Sequence, residues 1–173
     1  MKLLWLDIET TGLNPACDEI LELSAATSEE LGPLSENVHF VFHVEEFDQL
    51  QACVAVRAMH EANGLWTECA MSTTRPYHQR VARAIETLIG KDRPTLTGSS
   101  VHFDRGFLAR YLPTVHDRLH YRNRDVRSIY DFCMACGMPE VKREAEPHRS
   151  TADLAAAYEL AKRCEAWAIG MKP

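Results

Sequence analysis

Lys2 to Ile8 is apolar almost without a break and runs into acids, which reads as a buried strand with a charged C-terminal end. Thr10-Thr11-Gly12-Leu13-Asn14-Pro15 then carries the residues of a turn. From Glu19 to Thr27, Ile20, Glu22 and Ser24 alternate with Leu21, Leu23 and Ala25, the period of a second strand. Val38 to Val44 alternates as well, with Phe40, Phe42 and Val44 on one face and His39, Val41 and His43 on the other. Short connections join these three strands, as in an antiparallel meander.

The period then changes. Glu46 to Gly64 is mixed and is expected to be helical in pieces. Arg75 to Ile89 reads as a helix with Val81, Ala84, Ile85 and Leu88 on one face. Pro94 to Gly98 is expected to be a short buried strand. Asp104 to Leu112 is expected to be a helix with Phe107, Leu108 and Tyr111 facing inward. Leu119 to Val126 suggests another short strand, and Val126 to Gly137 a helix. Met138 to Arg149 is polar, carries two prolines, and reads as a mobile loop. Ser150 to Ala168 has the strongest helical signal: Ser150 with Asp153 three residues on fits a capping pattern, and alanine-rich sequence follows. Strands first, then alternating helices and strands, imply an α/β layer fold around one mixed sheet. At 173 residues the chain is expected to form a single domain, 1–173.

Composition narrows the class. Apolar residues make up 46% and charged residues 25%, which excludes wholesale disorder. No apolar run approaches the ~20 residues of a membrane helix. The opening apolar run is too short for a signal peptide and meets acid at once, so a cytoplasmic protein is expected. Nineteen basic against 25 acidic residues give a net charge of −6, which argues against binding long DNA by electrostatics alone. A metal-assisted enzyme acting on short nucleic acid stays open, because the ion supplies the positive charge. The six cysteines read as reduced thiols in that compartment.

The candidate chemistry lies in three places. Asp7 and Glu9 sit at i and i+2 of a strand and share a face, where unpaired burial is costly; a hard cation that takes carboxylate oxygens would explain them, and so would a solvated strand end. Asp104 opens a helix, where the dipole alone favours an acid. His148 precedes the last helix and Asp153 lies in its first turn. An imidazole with an ordinary pKa near ~6.5 is suited to take a proton from water at neutral pH.

Asp7-x-Glu9, then Asp104, then His148-x4-Asp153, taken in this order, resembles the DEDDh family of 3′-to-5′ exonucleases. Asp7-Ile8-Glu9-Thr10-Thr11-Gly12-Leu13 is similar to that family's first signature. The resemblance implies a ribonuclease H-like α/β fold, a central mixed sheet flanked by helices, with two divalent ions, Mg²⁺ or Mn²⁺, clamping the attacking and leaving oxygens. It implies Asp7, Glu9, Asp104 and Asp153 as metal ligands and His148 as general base on the attacking water.

The likeness is sharpest to the oligoribonuclease branch and runs from Leu3 to Cys164. Gly98-x-Ser100-x-x-x-Asp104-Arg105-x-Phe107-Leu108, His120-Tyr121-Arg122-x-x-Asp125-Val126 and His60-x-x-x-Gly64-Leu65 carry it. This implies a homodimer that cuts very short oligoribonucleotides to nucleoside 5′-monophosphates. Leu13 and His60 would sandwich the terminal bases, Tyr121 would act in the partner subunit's site, and Ser100 and Arg122 would meet the 5′ phosphate. Arg127 and Asp131 stand where the branch has small hydroxyl residues, and Thr10 or Thr11 where it has methionine. Ala55 stands near the place of its usual tryptophan. A weaker length preference is therefore expected. Two other readings are compatible with these residues: a DNA-directed exonuclease of the proofreading or repair type, and an inactive domain of the same fold that binds nucleotide ends.

Elsewhere, Cys133 and Cys136 have zinc-like spacing without a second pair, and His116 and His120 lack the adjacent glutamate of a metalloprotease. Arg118, Arg122, Arg124 and Arg127 form one basic cluster, either a solvated edge or a phosphate-capturing one.

Overall fold

The computed structural model describes residues 1–45, 52–75, 79–142 and 148–170. Five strands form one mixed sheet in the order β3-β2-β1-β4-β5. They are β1 (Lys2–Thr10), β2 (Ile20–Glu29), β3 (Val38–Val41), β4 (Thr95–Gly98) and β5 (Asn123–Asp125). The helices are α1 (Val54–Ala62), α2 (Leu65–Met71), α3 (Gln79–Ile89), α4 (His102–Tyr111), α5 (Pro113–His116), α6 (Val126–Ala135) and α7 (Ser150–Gly170). The first three strands make the expected antiparallel meander, and β4 and β5 join it in parallel.

Alternation along β1 assigns its two faces. Leu4, Leu6 and Ile8 pack with Val81 and Ile85 of α3 and Phe107 and Leu108 of α4. Leu3 and Trp5 point the other way, into Val126 and Tyr130 of α6 and Leu154 and Tyr158 of α7. Trp5 is fully buried, and its indole N–H donates to Ser28 Oγ at 2.8 Å, so its one polar atom is satisfied. Asp7 and Glu9 continue the face of Leu3 and Trp5, and the antiparallel register sets Asp7 opposite Ser24 and Glu9 opposite Glu22. The Glu22 and Ser24 face of β2 is covered by the N-terminal end of α7, where Ser150 bonds both residues.

Topology decides what meets at the end of β1. Because β1 and β4 are parallel, their C-terminal ends lie at the same edge, and α4 starts directly after β4. Gly98 makes this approach possible: a β-carbon there would sit 2.6 Å from the Leu6 carbonyl oxygen.

Several boundaries differ from the sequence expectations. Regular β3 pairing stops at Val41, although Phe42 N still donates to Leu21 O and Val44 is buried. The strand expected over Leu119–Val126 is reduced to Asn123–Asp125, because α5 and a turn take up the chain as far as Arg122. Helices α2 and α5, four to seven residues each, carry too little periodicity to announce themselves. Ser150 does not cap α7. Its hydroxyl bonds Ser24 Oγ and its N–H bonds Glu22, while the Asp153 carboxylate reaches back to Arg149 N. The segments 46–51 and 76–78, expected to be helical, and 143–147 of the expected mobile loop lie outside the described residues. No described helix is long and apolar enough to cross a membrane.

Candidate active site

Three elements converge at the C-terminal end of β1. Ligand atoms of Glu9, His148 and Asp153 all lie within 4.8 Å of one another. Asp7 is one pleat away from Glu9, and Asp104 comes from the first turn of α4. The sequence separates these groups by up to 146 positions, and the parallel β1–β4 pair with α7 across the sheet face brings them together.

The electrostatics are those of crowded, buried acids. Glu9 is only 8% exposed, and burial pushes its carboxyl up to about 9, with the charges of Asp7 and Asp153 adding to the shift. Asp104 is 3% exposed and is likewise raised, first by burial and then by Asp7, against backbone N–H donation that favours its charged form. Like charges packed in this way hold protons until a cation replaces them. The donor set is oxygen-rich, as a hard divalent ion requires, and the position of these acids under a covering helix fits such an ion.

A second set of charges lies beside the first. Glu22, opposite Glu9, is 1% exposed on its side chain. Its carboxylate accepts from Arg149 Nη2 at 2.9 Å, from Ser150 N at 2.7 Å and meets His39 Nε2 at 2.7 Å. Burial works to raise Glu22, but these donors outweigh it and hold its pKa below the usual value. The Arg149 guanidinium also forks onto both oxygens of Glu68 in α2, at 2.8 and 2.7 Å. These residues were missed in the sequence reading. The signal available was a glutamate inside the apolar stretch of a strand, two residues from a serine, with the Asp7-x-Glu9 pair on the strand before it.

The other sequence-predicted residues fall in different places. Leu13 is 80% exposed at the tip of the β1–β2 turn. That turn is fixed by Asp18, whose carboxylate accepts from Asn14 N at 2.7 Å and lies where a β-carbon on Gly12 would be, at 2.6 Å. His60 is fully buried, with Nε2 3.5 Å from Glu9 Oε2, so in this structure it presents no exposed ring face for a base. Burial lowers its pKa to about 4 while that of Glu9 is raised, so the pair meets as two neutral groups and not as a salt bridge.

Ser100 is exposed at φ 57° in the turn before α4, where Val101 N donates to Asp125 Oδ2 at 3.0 Å. Tyr121 is 74% exposed, with the Arg122 guanidinium over its ring at 5.3 Å. Arg127 and Asp131 pair with each other at 3.1 Å, one helical turn apart. Of the basic cluster, Arg124 pairs with Glu30 and Arg118 donates to the Gly90 carbonyl. Cys133 is buried and Cys136 exposed; burial and the neighbouring Cys133 raise Cys164 to about 11, so Cys133 packs against α7 instead of completing a site with Cys136. His120 Nδ1 accepts from Arg122 N, and His116 lies against Asp117.

In fold, the chain matches exonuclease I in its product-bound form, with a TM-score of 0.69 and 18% identity, over 95% of this chain and 43% of that one. It also matches zinc-bound E. coli exonuclease I in complex with single-stranded DNA, with a TM-score of 0.71 and 16% identity, over 95% of this chain and 40% of that one. These likenesses establish the ribonuclease H-like fold. In sequence, the chain is 36% identical to an oligoribonuclease of Rhodococcus jostii over 164 residues, covering 88% of this chain and 80% of that one. It is 35% identical to an oligoribonuclease of Tropheryma whipplei, covering 88% and 85%. The exonuclease family model matches residues 4–161, a span that takes in Asp7, Glu9, Asp104, His148 and Asp153 alike, and on these matches the chain belongs to the exonuclease family, in its oligoribonuclease branch.

Proposed function

We propose that this protein, read as one exonuclease domain over 1–173, is a 3′-to-5′ exoribonuclease that hydrolyses short oligoribonucleotides to nucleoside 5′-monophosphates. The observation that carries the reading is the convergence of Glu9, Asp153 and His148 at the end of β1, with Asp7 and Asp104 alongside. Asp7, Glu9, Asp104 and Asp153 would hold two divalent ions, Mg²⁺ or Mn²⁺, which when bound polarise the scissile phosphate and lower the pKa of water. His148 takes the proton of the attacking water on a ring nitrogen, within reach of the carboxylates that orient that water. Glu9 and Asp104 are both nearly inaccessible, so they would hold the divalent ions at fixed positions against the charge developing on the phosphate.

The exposed Leu13 on its Asp18-braced turn is suited to stack on a terminal base. Ser100 and Arg122, both at the surface, would meet the 5′ phosphate of a short strand. A homodimer fits the apolar surface on and beside α6, where Phe132 is 69% exposed near Ile129, and it would give Tyr121 a partner site to enter. The Arg127–Asp131 pair offsets the charge of Asp131, which would repel phosphate, and also holds Arg127 away from a simple capping role.

The test is product analysis and kcat/KM on 5′-phosphorylated RNAs of two, three, five and seven nucleotides, with DNA of the same lengths in parallel. A preference for the shortest RNAs is expected, shallower than strict dinucleotide selection because of Arg127 and Asp131. Rates that climb with length, or DNA cleaved as fast as RNA, would replace the reading with a general or DNA-directed exonuclease.

A further inference from the structure

His148 is one of three described non-glycine residues with a left-handed backbone, at φ 48°. A β-carbon is disfavoured there, so the surrounding structure must hold it. What holds it is unusually direct. The peptide unit between His148 and Arg149 is gripped at both ends: Asn63 Nδ2 donates to His148 O at 2.7 Å, and Arg149 N donates to Asp153 Oδ2 at 3.0 Å. The Arg149 side chain then anchors the same point to β2 through Glu22 and to α2 through Glu68. Asn63 is itself fixed, since its Oδ1 accepts from Leu65 N at 3.0 Å at the start of α2. Neither Asn63 nor the Arg149 guanidinium belongs to the converging donor set of Glu9, His148 and Asp153.

We propose that Asn63 and Arg149 are positioning residues for His148: by fixing the plane of the peptide that follows it, they set the direction of its ring toward Glu9 and Asp153. The α1–α2 segment is the platform for this. It also carries His60 beneath Glu9, so one element braces both the strand acid and the loop histidine. The inference rests on the reading of His148 as the proton acceptor. It adds that the histidine's position depends on an amide donor 85 residues earlier in the chain.

A double-mutant cycle on turnover tests it, using the intact protein with saturating Mg²⁺ and a 5′-phosphorylated RNA dinucleotide. Asn63→Ser keeps an oxygen for Leu65 N but is too short to donate to His148 O. It should lower kcat by about 10- to 100-fold, the order expected of a misplaced catalytic group, with KM unchanged. In a His148→Ala background the same change should lower kcat no further, because the group it acts through is gone. Equal losses in both backgrounds would make Asn63 a fold-supporting residue only and overturn the proposal, as would a wild-type kcat in Asn63→Ser. Wild-type turnover in His148→Ala alone would overturn the role of His148 and this inference with it, an outcome distinct from the other two. Should Asn63→Ser lose the native melting transition, Arg149→Lys, which keeps the charge and loses the fork, runs the same cycle with the same criteria.

Discussion

Replacing Glu9 by glutamine should stabilise the metal-free protein, and by an amount that depends on pH in a stated way. The folded carboxyl is held at about 9 against 4.5 for an unhindered one, chiefly by burial and then by Asp7 and Asp153. A raised carboxyl binds its proton more tightly in the native than in the unfolded chain, so stability is fully present below pH 4.5 and is lost as pH rises toward 9. Over the two and a half units between 4.5 and neutrality, at ~1.36 kcal/mol per unit, wild-type protein forgoes about 3 kcal/mol at pH 7. Glutamine resembles the protonated side chain and has nothing to ionise. With ~2–4 °C per kcal/mol for a chain of this size, Glu9→Gln should melt about 6–12 °C above wild type at pH 7 in EDTA. The gain should shrink to nothing below pH 4.5 and level off above pH 9. Saturating Mg²⁺ should reverse the order, because the ion supplies wild-type Glu9 with the positive charge it lacks, and the variant offers one charged ligand fewer. The assay is calorimetric or fluorimetric melting of both proteins across this pH range, with and without the ion. A gain that does not vary with pH, or a variant less stable than wild type in EDTA at neutral pH, would refute the idea that Glu9 is a proton-holding acid awaiting a cation.

Asp153→Asn should abolish hydrolysis while the native melting transition is kept, since the change removes a charged donor and leaves the shape; turnover near wild type with saturating Mg²⁺ or Mn²⁺ would contradict its role. Gly98→Ala should destabilise the fold by about 1–3 kcal/mol, the usual cost of overpacking, because its β-carbon meets the Leu6 carbonyl oxygen, and denaturant melts would read the loss. Light scattering at micromolar concentration should give twice the 19.6 kDa monomer mass. Tyr121→Ala, at a residue 74% exposed in the single chain, should then cut kcat more than it cuts assembly.

Local signals were enough for much of this molecule. Strands β1 and β2 and helices α3 and α4 follow from where their apolar residues fall, because burial against a sheet imposes a pattern that the side chains must obey, while α7 follows from its alanine-rich composition. The five residues of the acid–histidine set were legible for a different reason: their order and spacing resemble the signatures of a known exonuclease family, an order that the chemistry by itself does not require. What the sequence could not show is pairing across space. That Glu22 stands opposite Glu9, that Arg149 bridges β2 to α2, and that Asn63 reaches the His148 carbonyl all depend on register and packing between segments far apart in the chain. His60 makes the same point from the other side, since a histidine on a short helix carries no local signal for burial, and only the contact of that helix with the end of β1 put it under Glu9. Local chemistry determined which residues could act. The proton affinities of the acids and the backbone of the histidine were decided by tertiary structure, because desolvation and like-charge crowding exist only once the strands and helices have closed around them.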